Sequence, residues 1–284
     1  MKTSSARCLA IVCTLVTLVA SVESASAATV VSCGPDPLAN TQNVLCANGS
    51  CTMGVVRLTN DIETTTGGCE FNLNGRDLAI EKSFDMTGLG FIKVTNAKSI
   101  AVTGAGRLRA RGDFHKPNGS IIQGGLISLT ATGTITVDGT GSFDVSGDGG
   151  GTVYLLTNGN INFTGGDPVV RGNGISSFAD LGDRYTDGGE LSAISLMGSV
   201  VVDGTLSLTG QNGGTGGIVD LQGAINVDVK KQVDVGGGGG GGGEFVLTAG
   251  DDVFIRRSVN GDSAPSSCEA AFCGGSPSGA FVER

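Results

Sequence analysis

A triplet of short alternating segments recurs along this chain, and it constrains the fold more than any other feature. Residues 90–113 (GFIKVTNAKSIAVTGAGRLRARGD) align without a gap on residues 125–148 (GLISLTATGTITVDGTGSFDVSGD). The first fifteen residues of the second copy align again on residues 151–165. Looser copies occupy residues 70–88, 191–210, 218–236 and 245–257. Self-similarity of this kind is typical of a repeat architecture.

Each copy contains three stretches in which apolar and polar residues alternate, separated by Gly, Asn or Asp. That pattern predicts short strands with one apolar face. A unit of this size cannot bury its apolar face alone, so successive units must stack. The apolar pairs are Ile127/Leu129, Ile135/Val137 and Phe143/Val145 in one copy, and Val219/Leu221, Ile225/Val227 and Val233/Val235 in a later one.

Stacked equivalent strands form three parallel sheets around a narrow interior, which is a parallel β-helix. We therefore predict an all-β fold, a right-handed parallel β-helix (solenoid) of about seven three-strand coils over residues 70–257. At about 4.8 Å per coil, the rod would be roughly 35 Å long. An antiparallel sandwich does not explain why the triplet returns with its turns in register. The 50 glycines fall mainly between strands and not at every third position, which excludes collagen.

The first 27 residues have the features of a secretory signal peptide. Lys2 and Arg7 precede an apolar stretch, and Ala25-Ser26-Ala27 supplies the small residues of a cleavage site. We therefore expect a secreted protein, extracellular, at the cell surface or periplasmic, with no membrane span after signal removal. Cleavage would also remove Glu23 and change the net charge from −9 to −10. A charge of this sign disfavours nucleic acid and anionic membranes as partners.

The six cysteines beyond the signal lie near the two ends of the chain, and an even number in an exported chain predicts disulfides. The first four allow three pairings, which the sequence leaves open, and the last two are most simply paired with each other. We expect disulfide-tied end caps at residues 28–69 and 258–284, which would cover the edges of the terminal coils. We predict no metal site and no cofactor. The six are Cys33, Cys46, Cys51, Cys69, Cys268 and Cys273.

The coils differ in length after their third strand, so we expect a row of loops along one corner of the rod. Insertions on one side often form the binding face of a repeat protein. Eight consecutive glycines, residues 236–243, are predicted to be a flexible connector in this row. The extra residues are 113–125, 148–151, 173–190, 211–217 and 237–244. The candidate binding residues in the two long loops are His115, Lys116, Asp180, Asp183, Arg184, Tyr185 and Asp187.

Three arginines, Arg107, Arg109 and Arg111, alternate with apolar residues in one predicted strand. The repeat alignment places Asp85 in the preceding coil and Asp144 in the following coil at the level of Arg109. Stacking would bring these charges into one column about 4.8 Å apart. One interpretation is a surface charge ladder of small energetic value. The other is a subsite for an acidic sugar, in which arginine binds a carboxylate through two hydrogen bonds.

The repeated pattern, as in GLISLTATGTITVDG, resembles the glycine-rich β-helix passengers of bacterial filamentous-haemagglutinin-like and autotransporter-type surface proteins. The resemblance covers residues 70–257 and implies an adhesive or structural role at the cell surface. The expected partner is an extracellular glycan or other cell-surface material, contacted through the loop row. The alternative is a β-helix polysaccharide lyase or glycoside hydrolase acting on acidic polysaccharide. We assign no catalytic residues, because the compact Asp, His and Arg/Lys motifs of polygalacturonases and pectate lyases are not found.

Overall fold

The computed structural model describes residues 27–64, 67–87, 90–112, 123–174, 186–211 and 213–262, together with the backbone of 281–283. The N-terminal part combines short strands with a single helical segment. Its elements are β1 (Thr29–Val30), α1 (Pro37–Asn40), a π-helical turn (Thr41–Cys46), β2 (Gly49–Cys51), β3 (Val55–Leu58) and β4 (Ile62–Thr64).

Seven coils of three strands follow in the described part of the chain. Coils 1 to 3 contain β5 (Cys69–Asn72), β6 (Asp77–Ile80), β7 (Ser83–Thr87), β8 (Phe91–Ala97), β9 (Ile100–Val102), β10 (Arg107–Arg111), β11 (Leu126–Ala131), β12 (Ile135–Val137) and β13 (Ser142–Asp144). Coils 4 and 5 contain β14 (Thr152–Thr157), β15 (Ile161–Phe163), β16 (Val170–Arg171), β17 (Glu190–Ser195), β18 (Val200–Val202) and β19 (Leu206–Ser207). Coils 6 and 7 contain β20 (Ile218–Gly223), β21 (Val227–Val229), β22 (Val233–Asp234), β23 (Glu244–Ala249), β24 (Val253–Ile255) and β25 (Val259–Asn260), and β26 (Phe281–Glu283) comes last.

Equivalent strands of successive coils pair side by side and form three sheets. The first sheet has the order β5-β8-β11-β14-β17-β20-β23-β26, the second runs from β2 and β3 through β6 to β24, and the third runs from β1 and β4 through β7 to β25. All the coil strands pair in parallel. Ile127, for example, lies between Ile92 and Val153. This arrangement confirms the predicted all-β parallel β-helix and its seven coils.

One side of each strand faces a continuous apolar interior. The predicted pairs Ile127/Leu129, Ile135/Val137 and Phe143/Val145 are all fully buried. Near the N-terminal end, the rings of Phe71 and Phe84 pack edge to face with centroids 5.7 Å apart. Burial of one such side chain contributes about 1.5–3 kcal/mol, so a column of them stabilises a rod without a thick core.

Two local departures from the sequence alignment have physical causes. Ala131 pairs with Ala97 rather than with Asn96, because Asn96 adopts a left-handed conformation (φ 51°) and bulges out of its strand. The predicted interior pair Ile225/Val227 is wrong. Val227 and Val229 face inward, and Ile225 is 42% exposed in the preceding turn. Three apolar residues alternate there, and only pairing with the neighbouring coil determines which two point inside.

The N-terminal end of the interior is covered by the helical segment, since Val44 and Leu45 are buried in the same core. Disulfides Cys33–Cys69 and Cys46–Cys51 hold this region and select one of the three pairings that the sequence left open. Strands β3 and β4 already pair in parallel with β6 and β7. The parallel stacking therefore begins within residues 28–69.

The C-terminal end is described as far as Asp262 and again at β26, which pairs with β23 in the first sheet. Cys268 and Cys273 lie outside the described residues, as does the signal segment up to Ser26. Among the residues that the structure describes, no helix has both the length and the apolar character needed to cross a membrane.

Candidate functional site

The insertions that follow the third strands stack on one another at a single corner of the β-helix, which we call the loop corner. Its described parts are residues 112, 123–125, 146–151, 172–174, 186–189, 208–211, 213–217 and 235–243. The amide of Gly124 donates to the carbonyl of Gly149, and that of Gly213 to the carbonyl of Gly238, both at 2.7 Å. The prediction of one common corner is therefore confirmed for the described parts of these loops.

Residues 236–243 belong to this stack, and the prediction of a flexible connector is wrong. The amide of Gly238 donates to the carbonyl of Gly214 at 2.9 Å. A Cβ atom on Gly240 would overlap the backbone of the neighbouring coil, and Gly241 has a φ of 136° that side chains disfavour. Glycine is needed here for close backbone approach and not for chain flexibility.

Asp187 is the one long-loop candidate residue within the described ranges. Its Oδ1 accepts hydrogen bonds from the amide and the hydroxyl of Thr215, both at 2.8 Å. This carboxylate therefore ties one coil to the next at the loop corner. The other long-loop candidates, His115, Lys116, Asp180, Asp183, Arg184 and Tyr185, lie outside the described residues.

The outer face of the third sheet, next to the loop corner, carries the arginines predicted from the repeat. Arg109 pairs in register with Asp85 on one side and Asp144 on the other, so the predicted charge column is confirmed. Arg107 and Arg111 lie on the same strand, β10, and alternate with the buried Leu108 and Ala110 that anchor it. The alternation of the strand thus points all three guanidinium groups outward.

Each acidic residue of this column is held by a different arginine. Arg109 Nη1 donates to Asp85 Oδ2 at 3.0 Å. Arg111 Nη2 lies 2.7 Å from Asp144 Oδ2, and its Nε donates to the same oxygen at 2.8 Å. The amide of Ser146 donates a hydrogen bond to the other carboxylate oxygen of Asp144, and this residue is only 7% exposed. The column is therefore a set of partly buried ion pairs.

The Asp85 carboxyl has a raised pKa. Burial disfavours its charged form and is the largest cause, and the negative charge of Glu63 acts in the same direction. Arg109, and to a smaller degree Arg111, oppose the rise without cancelling it. The ion pair with Arg109 thus only partly offsets the loss of hydration of this carboxylate.

Two arginines of this face make no ion pair with any described carboxylate. Arg107 has Ser83 and Ser142 as its register partners, and both are neutral. Arg171, on β16, lies beside Asp144, whose carboxylate is already bound by Arg111. Neither guanidinium has a hydrogen-bond partner among the described side chains, so both are available to an anionic ligand.

Arg171 was missed by the sequence analysis because its coil contains an extra residue. The second strands of coils 3 and 4 pair Ile135 with Ile161, a separation of 26 residues, whereas Phe143 pairs with Val170, a separation of 27. An ungapped alignment of the two coils therefore fails to match the third strand of coil 4, β16, with that of coil 3. The apolar Val169 and Val170 before the arginine were the signal that could have placed it.

The other two outer faces differ in character. The second sheet presents small neutral residues, among them Ala101, Thr136 and Asn162, in register across three coils. The first sheet presents scattered apolar residues such as Phe91, which is 37% exposed, and Tyr154. Ion pairs also occur on these sheets, Lys93–Glu70 on the first and Arg256–Asp228 on the second, but four arginines lie on strands of the third sheet, which makes that face the candidate site.

The carboxylates of Asp144 and Asp234, both on the third sheet, do not form a hydrolytic pair. Asp144 and Asp234 are three strands apart, or about 14 Å, beyond the roughly 5–10 Å that glycoside hydrolysis uses. Asp85 is separated from Asp144 by the strand of Arg109 and is bound by that arginine. In the described part of the chain, no cluster of His, Cys, Asp or Glu could hold a metal ion.

No family model matches this chain, and comparisons with curated proteins and with solved structures found no match. The resemblance to glycine-rich β-helix surface proteins therefore stays a prediction, and the function has to be argued from the geometry.

Proposed function

We propose that this protein is secreted and acts as a rigid adhesive or structural module outside the cell, binding extracellular glycan at the loop corner and the adjacent third sheet. One observation supports the proposal above all. The seven coils share an apolar interior and vary mainly at one corner, where the insertions stack. A repeat protein that varies on one side keeps its scaffold constant and uses that side for recognition.

The disulfides fit an extracellular location. Cys33–Cys69 and Cys46–Cys51 join residues in a region where the terminal coil needs protection, and such bonds persist in oxidising compartments. Secretion is tested by expressing the full chain in a bacterial host and recovering it from the periplasm and medium. We expect a mature N-terminus at Ala28, read by mass spectrometry. An intact Met1 on exported protein would contradict the signal peptide.

Glycan binding is tested with the purified mature chain on a glycan array and on isolated cell-wall polysaccharide. We expect binding that is lost when the long-loop residues His115 and Lys116 are replaced together by alanine. The control replaces Thr136 and Asn162, on the second sheet, together by alanine, and it should bind like the wild type. An array without hits would remove the glycan part of the proposal. The same panel, assayed for reducing ends and unsaturated sugars, tests the lyase or hydrolase alternative.

A further inference from the structure

We infer that the outer face of the third sheet is a binding site for acidic polysaccharide, in which Arg107 and Arg171 bind the anionic groups. The inference rests on the proposed function, because it names the ligand class of that surface. It differs from the sequence interpretation, which centred on Arg109. In the structure Arg109 and Arg111 are already neutralised, and the available cations are their neighbours.

The pairing register explains why these two arginines lack ion-pair partners in the described part of the chain. Arg107 stands between two serines, so no carboxylate lies opposite it. Arg171 stands opposite Asp144, but two hydrogen-bonding contacts with Arg111 already hold that carboxylate. The same ion pair that neutralises Asp144 therefore leaves Arg171 without an anion among the described residues.

The local charge contrasts with the charge of the whole chain. The protein carries a net charge of −9, yet coils 2 to 4 of this face display four arginines, Arg107, Arg109, Arg111 and Arg171, against the carboxylate of Asp144. An exposed guanidinium without an anion is best satisfied by a carboxylate or sulfate, which it binds through two parallel hydrogen bonds. The acidic remainder of the surface repels a polyanion elsewhere and favours this face.

The spacing of the two arginines suits an extended ligand. Arg107 and Arg171 are two coils apart along the rod and two residues apart along the strand, which places their Cα atoms about 12 Å from each other. Two anionic groups on one polymer chain can occupy both positions, whereas a single carboxylate cannot satisfy both guanidinium groups in that way. The hydroxyl groups of Ser83 and Ser142 flank Arg107 and can bond sugar hydroxyls.

The test compares dextran sulfate and polygalacturonate with neutral dextran, by calorimetric titration of the full mature chain. We expect both polyanions to bind and dextran not to bind, with affinity falling as salt is raised. The double variant Arg107→Ala/Arg171→Ala should weaken polyanion binding at least tenfold. Its unfolding should match the wild type, because neither arginine makes an ion pair with a described residue. Binding of one polyanion alone would support the inference and identify carboxylate or sulfate as the anion.

The matched control is Arg57→Ala/Arg256→Ala, which removes the same charge from the second-sheet side of the rod. We expect it to bind polyanions like the wild type. Equal loss in both double variants would show binding through net charge alone and overturn the site. Equal binding of dextran and dextran sulfate would overturn the ligand class. A wild-type protein that binds neutral glycans only would overturn this inference but leave the proposed function intact, and one that binds no glycan would overturn both.

Discussion

Arg111 holds the carboxylate of Asp144 from two residues out of register, whereas Arg109, which faces Asp144 directly across the sheet, is bound to Asp85. Each acid of the column thus has its own arginine. The diagonal contact covers Asp144 and uses both Nε and Nη2 of Arg111. Diagonal neighbours across a pair of strands are within reach of long side chains, and here that reach determines which charges stay unpaired.

Replacing Arg111 by alanine should destabilise the fold. Asp144 is 7% exposed and, among the described residues, would keep only the Ser146 amide as a hydrogen-bond donor. Hydrogen bonds to charged groups contribute about 1.5–3 kcal/mol, and because Arg111 is itself 40% exposed we expect a loss of about 1–2 kcal/mol. Urea unfolding of the variant and the wild type measures this loss of unfolding free energy. Arg107→Ala, on the same strand but without an ion pair to any described residue, is the control and should change stability by less than about 0.5 kcal/mol. Equal losses of stability in the two variants would contradict the ion pair between Arg111 and Asp144.

Asp85 should make stability depend on pH in a direction opposite to that of an ordinary ion-paired acid. Its pKa is raised above the ordinary value of 3.8, chiefly by burial. In the window above 3.8, the folded state binds more protons at Asp85 than the unfolded chain does, so the free energy of unfolding falls as pH rises through the raised pKa. Asp85→Asn lacks this contribution.

The measurement is the urea midpoint of wild type and Asp85→Asn from pH 3 to pH 7. We expect the variant to gain stability relative to the wild type as pH rises through the window, and the difference to level off above it. A difference that stays constant, or that moves in favour of the wild type, would show that Arg109 outweighs the burial of Asp85.

The sequence was sufficient for the architecture because period-two alternation and coil stacking are both local, repetitive signals. Ile127, Ile135 and Phe143 could be placed inside from their neighbours alone. The pairing of Cys33 with Cys69 could not, since it depends on how residues 36 positions apart meet in space. The same holds for Ile225, whose exposure is decided by the register with the adjacent coil.

The candidate site was predicted only in part. The repeat gave the column of Asp85, Arg109 and Asp144, because register follows from alignment. Which arginine binds which acid depends on side-chain reach, a property that alignment does not contain. Arg171 was hidden by a one-residue insertion in its coil. The composition of residues 236–243 predicted a flexible segment. In the structure, glycine is required there because the backbones of neighbouring coils pack closely.

That close packing predicts a cost for adding a single methyl group to the glycine run. A Cβ on Gly237 would overlap the carbonyl oxygen of Gly241, so the turn has to shift. Overpacking of this kind costs about 1–3 kcal/mol, and we expect Gly237→Ala to lower the urea midpoint accordingly. Gly54→Ala is the matched control, because its Cβ would meet nothing within 4 Å. A neutral Gly237→Ala would restore the interpretation of the run as a loose connector.

The two disulfides should differ in their contribution to stability, because they close chain segments of very different length. Cys33–Cys69 spans 36 residues and Cys46–Cys51 spans 5. In the chain-entropy description, the longer link restricts the unfolded state more, by about 4 kcal/mol against about 2 kcal/mol. We therefore expect Cys33→Ala/Cys69→Ala to lower the free energy of unfolding by more than Cys46→Ala/Cys51→Ala does.

Both disulfides lie at the same end of the β-helix, but they differ in what they join as well as in loop length. Cys69 is fully buried on β5 and Cys33 packs against the core, and the long link therefore also joins the cap directly to coil 1. Guanidinium unfolding of the two double variants measures the difference in their free energies of unfolding. Each variant replaces both cysteines of one disulfide, so neither leaves a free thiol from the broken bond. Equal losses would mean that local structure persists in the unfolded cap and already restricts the 36-residue loop. A larger loss for the short link would show that the helical turn at Thr41–Cys46, and not the junction with coil 1, limits the stability of the cap.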